Sequence, residues 1–370
     1  MKKYSFLVAA LLAAGYANAQ ENTSTLTQIG PGNNADVSQT GYRNTAAGGQ
    51  SGIVNTLTQK QVGQYNSAGS VQVGNLNTAS QDQRGRENAA SLQTVGNLNA
   101  ASQTQEGRNN DATGTQLGNS NSLLQDQDGR NNTATATQRK DRNIAEQRQT
   151  GNRNDATIIQ GDGIPLDSDN KAYQTQLGDR NSVYAKQIGG RNRSYQGQTG
   201  DRNEGSVTQE GGNDNYATQM LRGDDNRATI HQIGNRNRAE QSVIGDRNRS
   251  VADQNGSDNV ALQNIGILGS NDNVARAEQM GNRNRAEQTI VGDDNRAVSE
   301  QDGNDNRSYQ YQQGSRNLAY ADQDGDAHLA RQTQIGDDNR AQVWQGLSGQ
   351  TSIISQVGDS NVATVHQDHP

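Results

Sequence analysis

A glycine returns every eleven residues along this chain, and an asparagine stands three residues after it. Gly30, Gly41, Gly52, Gly63, Gly74, Gly85, Gly96, Gly107, Gly118 and Gly129 follow one another without slip. Between Gln72 and Ala79 the motif reads Q-x-G-x-x-N-x-A, and it recurs to the end of the chain. A short period held this long requires stacked repeats, in which each unit covers its neighbours. From Gly30 to Gly358 there are thirty units, with Gly at 26 anchors (not Lys140, Asp167, Ser270 and Leu347) and Asn at 28 of the following slots (not His328 and Gln350). Short insertions near 161–169, 211 and 266–269 interrupt the count only at the Gly–Asn junction, where a loop can lengthen without disturbing strands.

Composition alone argues for disorder, since 29% of the chain is hydrophobic and 4% aromatic. Strict register overrides it. About five residues between junctions alternate at period two, as in Ala79-Ser80-Gln81-Asp82-Gln83, the pattern of a strand with one enclosed face. Eleven residues cannot hold a packed helix and a return, so each unit is a strand and a tight turn. Three inward slots in each of thirty units hold no Asp, Glu, Lys or Arg, although 20% of the chain is charged. An enclosed interior imposes that segregation.

The middle inward slot reveals a doubled period. Gln59, Gln81, Gln103, Gln125, Gln147, Gln174, Gln196, Gln219, Gln241, Gln263, Gln288, Gln310 and Gln332 fill it in alternate units. Intervening units carry Ser70, Leu92, Ala136, Ile158 or Val207. The repeat is therefore about 22 residues, two strands per rung on two facing parallel sheets. With Ser24–Gln28 added before the first anchor, 31 strands make fifteen and a half rungs, about 75 Å at ~4.8 Å per rung. In-register stacking turns the glutamines into an amide ladder. Gly74, Gly85 and Gly96 serve the turn by taking positive φ. Asn77, Asn88 and Asn99 are expected to tolerate left-handed φ and to bond their own backbone.

Lys2 and Lys3, an apolar run from Phe6 to Gly15, and Ala17-Asn18-Ala19 read as a secretory signal over residues 1–19. The chain has no Cys, so backbone pairing and stacking must hold it together outside the cell. A mixed net charge of −7 shows no basic face for nucleic acid, and no other stretch is long and apolar enough to span a membrane. Paired aspartates at Asp224-Asp225, Asp293-Asp294 and Asp337-Asp338 lie too far apart to chelate one calcium ion and read as solvated turn charges. His231, His328, His366 and His369 lack metal-ligand spacing and read as solvated. No nucleophile or carboxylate cluster supports catalysis, and neither cofactor nor metal is expected. Tyr173, Tyr184, Tyr195, Tyr216, Tyr309, Tyr311, Tyr320 and Trp344 fall outside the inward slots. They serve either strand propensity on a solvated face, or lateral bundling and adhesion to surfaces through aromatic stacking.

The ends of the array carry the functional expectation. Leu26 and Gln28 lie in the first strand and Val37 in the second; Ile354 lies in the penultimate strand and Val365 and Gln367 in the last. Val37 and Ile354 break the glutamine ladder, so apolar side chains mark both ends. Unpaired strand edges template the addition of another chain.

These residues resemble the curlin repeat, the unit of the major curli subunit of bacterial biofilm fibres. Ser70, Gln72, Gly74, Asn77, Ala79 and Gln83 stand in that family's order. The resemblance covers essentially the whole of 20–370, one curlin-repeat domain. It implies an all-β, left-handed solenoid, secreted unfolded and polymerised head-to-tail into extracellular amyloid on the cell surface. It further implies, as partners, further copies of the chain, an outer-membrane secretion channel, a periplasmic chaperone and a nucleator. The alternatives are the nucleator itself, or a monomeric solenoid adhesin or calcium-binding surface protein. Only Gln20 to Thr23 precede the first strand, where curlins carry a Gly-rich segment.

Overall fold

The computed structural model describes residues 21–161, 169–266 and 270–368. The signal segment 1–19, the insertion with Pro165 and Asp167, residues 267–269 and His369 lie outside the described residues. Among the described residues thirty-one strands run from β1 (Thr23–Ile29) and β2 (Asn34–Tyr42) to β30 (Thr351–Val357) and β31 (Val362–Gln367), each of six to nine residues. The odd strands form one 16-stranded sheet and the even strands a 15-stranded one, each in chain order. Every pairing is parallel and in register, Gln59 opposite Gln81 and Gln81 opposite Gln103. This is a β-solenoid with about 22 residues per two-strand rung.

The inward slots make the core between the sheets. Ala79, Ala101 and Leu123 are buried on the even sheet, and Leu92, Ala136 and Ile158 on the odd one. All thirteen glutamines of the middle slot join in one unbroken ladder. From Gln59 to Gln310, each Nε2 donates to the Oε1 of the next rung at 2.7–3.0 Å. The same amide nitrogen reaches across the core, as Gln81 does to Gly69 O at 2.9 Å. The ladder thus ties rung to rung and sheet to sheet. It satisfies groups whose unpartnered burial would cost about 1–3 kcal/mol each.

Third-slot glutamines build further ladders beyond the middle-slot one. On the odd sheet one row links Gln28, Gln50 and Gln72, and another runs from Gln116 to Gln367. On the even sheet the row from Gln39 stops at Gln198 and resumes at Gln312. Leu221, Val243, Ile265 and Ile290 fill the interval as a buried apolar block.

The turns differ from expectation in one respect. Gly74 takes φ +118°, and a Cβ there would meet Gly96 O at 1.9 Å, so the anchor needs glycine for both conformation and contact. The left-handed residue that follows is not the asparagine. It is the residue before it: Leu76 (φ 58°), Glu87 (φ 60°) and Leu98 (φ 60°). Asn77 is buried, accepts nothing from its own turn, and works between rungs. Its backbone N–H donates to Asn55 Oδ1 at 3.0 Å and its Nδ2 to Gly96 O at 2.7 Å. Asn88 and Asn99 reach Gly107 O and Gly118 O in the same way, at 3.1 and 2.7 Å, and Asn88 Nδ2 also bonds its own backbone as expected, at Arg84 O (3.1 Å). The reason is inward projection: once the preceding residue takes the αL strain, the amide can satisfy the close-packed glycine carbonyl of the next rung.

Candidate assembly interface

Among the described residues, the strands at the two ends of the solenoid have a neighbour on one side only, unlike those of its body. β1 pairs with β3 (Thr45–Ile53) alone and β2 with β4 (Thr56–Gln64) alone. At the other end β30 pairs with β28 (Leu329–Ile335) and β31 with β29 (Arg340–Gln345). Every residue of β1 is exposed. Leu26 is 44% exposed, Val37 and Val365 half-buried. Ile354, expected among the apolar residues of this end, is buried in the last apolar cluster with Val343, against which Val365 packs.

Ladder polarity distinguishes the ends. At the first end, Gln28 and Gln39 donate inward to Gln50 and Gln61 at 2.7 and 2.8 Å. Their Oε1 atoms face outward along the axis. At the far end, Gln356 and Gln367 accept from Gln334 and Gln345 at 2.9 and 2.8 Å. Their Nε2 groups hold only the carbonyls of Arg340 and Thr351. Acceptors therefore terminate one end and donors the other.

The start of the middle ladder leaves a trace. Gln59 Oε1 is buried and unpartnered, because Val37 stands opposite where a donating glutamine would be. Gln116 Oε1 and Gln312 Oε1 are unpartnered for the same reason, following Thr94 and Ile290. Each start of a ladder segment costs one buried acceptor.

The outer faces carry chemistry of other kinds. Down one edge, from Arg142 to Asp305, Arg and Asp alternate rung by rung at the left-handed corner position. Arg191 pairs with Asp214, Arg236 with Asp258 and Arg283 with Asp305, each at 2.6 Å. On the opposite edge Arg202–Asp225, Arg247–Asp272 and Arg316–Asp338 pair at 2.7 Å. The arginine hydrogen bonds hold these six carboxyls below their ordinary range. Asp225 and Asp338, expected to be solvated turn charges, are thus ion-paired. Their neighbours Asp224 and Asp337 accept from the backbone N–H of Asp201 and Ser315. Reading only the residue two places after each anchor, down one edge, exposes this alternation in the sequence.

A row on the odd sheet stacks His231, Asp253, Glu278, Glu300 and Asp322, then Trp344 and His366. Arg276 bonds both Glu278 and Glu300, and Tyr320 donates to Glu300 at 2.8 Å. The hydrogen bond to Asp253 raises the His231 pKa against the opposing effect of burial. His366 is exposed and stacks on Trp344 at 4.4 Å. His328 departs from the solvated reading. It is buried in an asparagine slot, with Nδ1 against Gln350 N–H and Nε2 against Asp324 O, both at 3.2 Å. The ring supplies the acceptor and donor of the amide it replaces. On the even sheet Tyr173 and Tyr195 stack at 5.0 Å, with Tyr216 at 5.8 Å from Tyr195.

Residues 178–211 match the family model of the curlin associated repeat. The match supports assignment to the curlin-repeat family. The matched segment spans one and a half rungs with the same Gly, Asn and Gln positions as the rest of the curlin-repeat array. No curated protein matches the chain. Among the described residues no helix is long and apolar enough to cross a membrane.

Proposed function

We propose that this chain is a secreted structural subunit that self-assembles head-to-tail into curli-like extracellular amyloid fibres of a biofilm matrix, on the bacterial surface. The observation that carries the reading is the pair of open ends with opposite ladder polarity. Each end presents unpaired backbone groups, and the outward acceptors of Gln28 and Gln39 complement the donors of Gln356 and Gln367. Edge strands in this state add further chains. Apolar Leu26, Val37 and Val365 beside them gain from desolvation. The activity is templated strand addition and needs no catalytic residue or cofactor. Resemblance to curlins supports an outer-membrane channel, a periplasmic chaperone and a nucleator as partners.

Purified mature chain at neutral pH, without added calcium, should give fibres in negative-stain micrographs and grow in a thioflavin assay. Deleting Ser24–Gln28 should leave the solenoid's circular dichroism intact and slow elongation severalfold. Unchanged growth of the deletion would overturn the assignment of this end, and persistent monomers of the full chain would overturn the fibre reading.

A further inference from the structure

We infer that successive subunits join with a half-turn about the fibre axis, β1 of the incoming chain seating on β30 and its β2 on β31. This rests on the fibre reading above. The reason is the parity of the strand count. Strands alternate between the two sheets along the chain, and 31 of them leave the odd sheet one strand longer than the even sheet. The next place in the spiral is therefore on the even sheet, above β30. If the incoming β1 were set on β31 instead, its β2 would lie two rungs beyond β30. A strand-wide gap would then remain in the even sheet, with two backbone edges unpaired inside the fibre.

Side chains on the page select the same arrangement. With the 22-residue register continued, Ser24 meets Ser352, Leu26 meets Ile354 and Gln28 meets Gln356 on one sheet. On the other, Ala35 meets Ala363, Val37 meets Val365 and Gln39 meets Gln367. Every inward pair is like on like. The two ladder ends become bonds, Gln356 Nε2 to Gln28 Oε1 and Gln367 Nε2 to Gln39 Oε1, in the direction that every ladder within the chain already follows. Joining two identical ends would set acceptor against acceptor or donor against donor. At the corner, Asn361 takes the Asn339 acceptor at 2.9 Å, and its own Oδ1 is next in the row for Asn33.

The half-turn also accounts for Val37 and Ile354. It makes the even sheet of one subunit run into the odd sheet of the next, where middle slots such as Leu26, Ser70 and Leu92 hold no glutamine. A glutamine at either position would begin a ladder with no continuation across the junction. The unpartnered Gln59 Oε1 is the cost of this exchange between sheets.

The chain has no native Cys, so cysteine pairs report the register directly. The outward positions Thr25 and Ile353 fall side by side in the half-turn arrangement, whereas Thr25 and Thr364 would do so without it. Fibres of T25C/I353C grown under reducing conditions and then oxidised should give a ladder of dimers, trimers and larger species on a non-reducing gel. T25C/T364C fibres should remain monomeric. A ladder from T25C/T364C, or end-on dimers from T25C alone, overturns the half-turn. Fibres that grow while neither pair cross-links overturn the end-on register and leave assembly standing, whereas failure of the unmodified chain to form fibres overturns the reading beneath it. If T25C/I353C grows poorly, mixing T25C chains with I353C chains should give cross-linked dimers only. Absence of those dimers counts against the proposal.

Discussion

Replacing Gln103 by Leu removes one rung of the middle ladder while nearly conserving volume. Gln103 is 1% exposed and makes four hydrogen bonds. Its Nε2 donates to Gln125 Oε1 at 2.7 Å and to the carbonyls of Ser91 and Ala112, and its Oε1 accepts from Gln81 at 2.9 Å. Without it Gln81 keeps a partner in Gly69 O, whereas the Oε1 of Gln125 is left buried with no donor. One orphaned acceptor costs about 1–3 kcal/mol, and the small change in shape adds less than about 1.5 kcal/mol. The chain already contains the control. Four successive apolar residues, Leu221 to Ile290, interrupt a ladder, yet within that row only Gln312 Oε1 is orphaned after them. A double variant Gln103→Leu/Gln125→Leu should therefore cost much less than twice the single change, because the orphan only moves to Gln147. Local hydrogen exchange of the segment from Ala100 to Asn152, read by mass spectrometry, measures both in a chain whose units open separately. A single variant within about 0.5 kcal/mol of the parent, or a double variant at the full sum, would refute the ladder reasoning.

Two further outcomes follow from the turns and the outer charges. Gly74→Ala places a Cβ 1.9 Å from Gly96 O. The rung must shift, so a loss of about 3 kcal/mol or more is expected in the exchange of neighbouring strands; a change below about 1 kcal/mol would contradict the close approach. Acid and salt should act weakly, since the ladders are neutral. Asp214, Asp258 and Asp305 have depressed folded pKa values owing to Arg191, Arg236 and Arg283. Their stabilisation is present above the ordinary carboxyl value of about 3.9 and is lost as pH falls through the lower folded values. His231 is raised by Asp253, so its contribution is complete below about 6.5 and fades as pH rises through the folded value. All these pairs are exposed or half-exposed, and screening keeps each contribution small. Urea midpoints should change little between pH 5 and 8, where the paired aspartates stay ionised, or on adding 1 M salt; a steep fall on adding salt would show that the corners, rather than the amides, hold the fold.

The architecture was legible in the residues because the code is short and repeated. The eleven-residue spacing, the charge-free alternate slots and Gln in every second unit led to two parallel sheets, the strand count and the thirteen-member ladder, all present in the structure. Each of these depends on which side chains can be enclosed, and enclosure is written locally at period two. The end residues Leu26 and Val365 were found the same way, by where the pattern runs out. What tertiary structure alone decided is the use of contacts between residues 22 apart. Asn77 looked like a left-handed turn residue, yet Leu76 bears that strain, because the buried Gly96 carbonyl of the next rung needs the asparagine amide. His328 seemed a solvated substitution until its ring proved to fill an amide's place. The burial of Ile354, the paired corner charges and the one-way direction of the ladders likewise appear only when rungs are stacked. A sequence displays each unit's own preferences, and the choice among partners belongs to the neighbour above and the neighbour below.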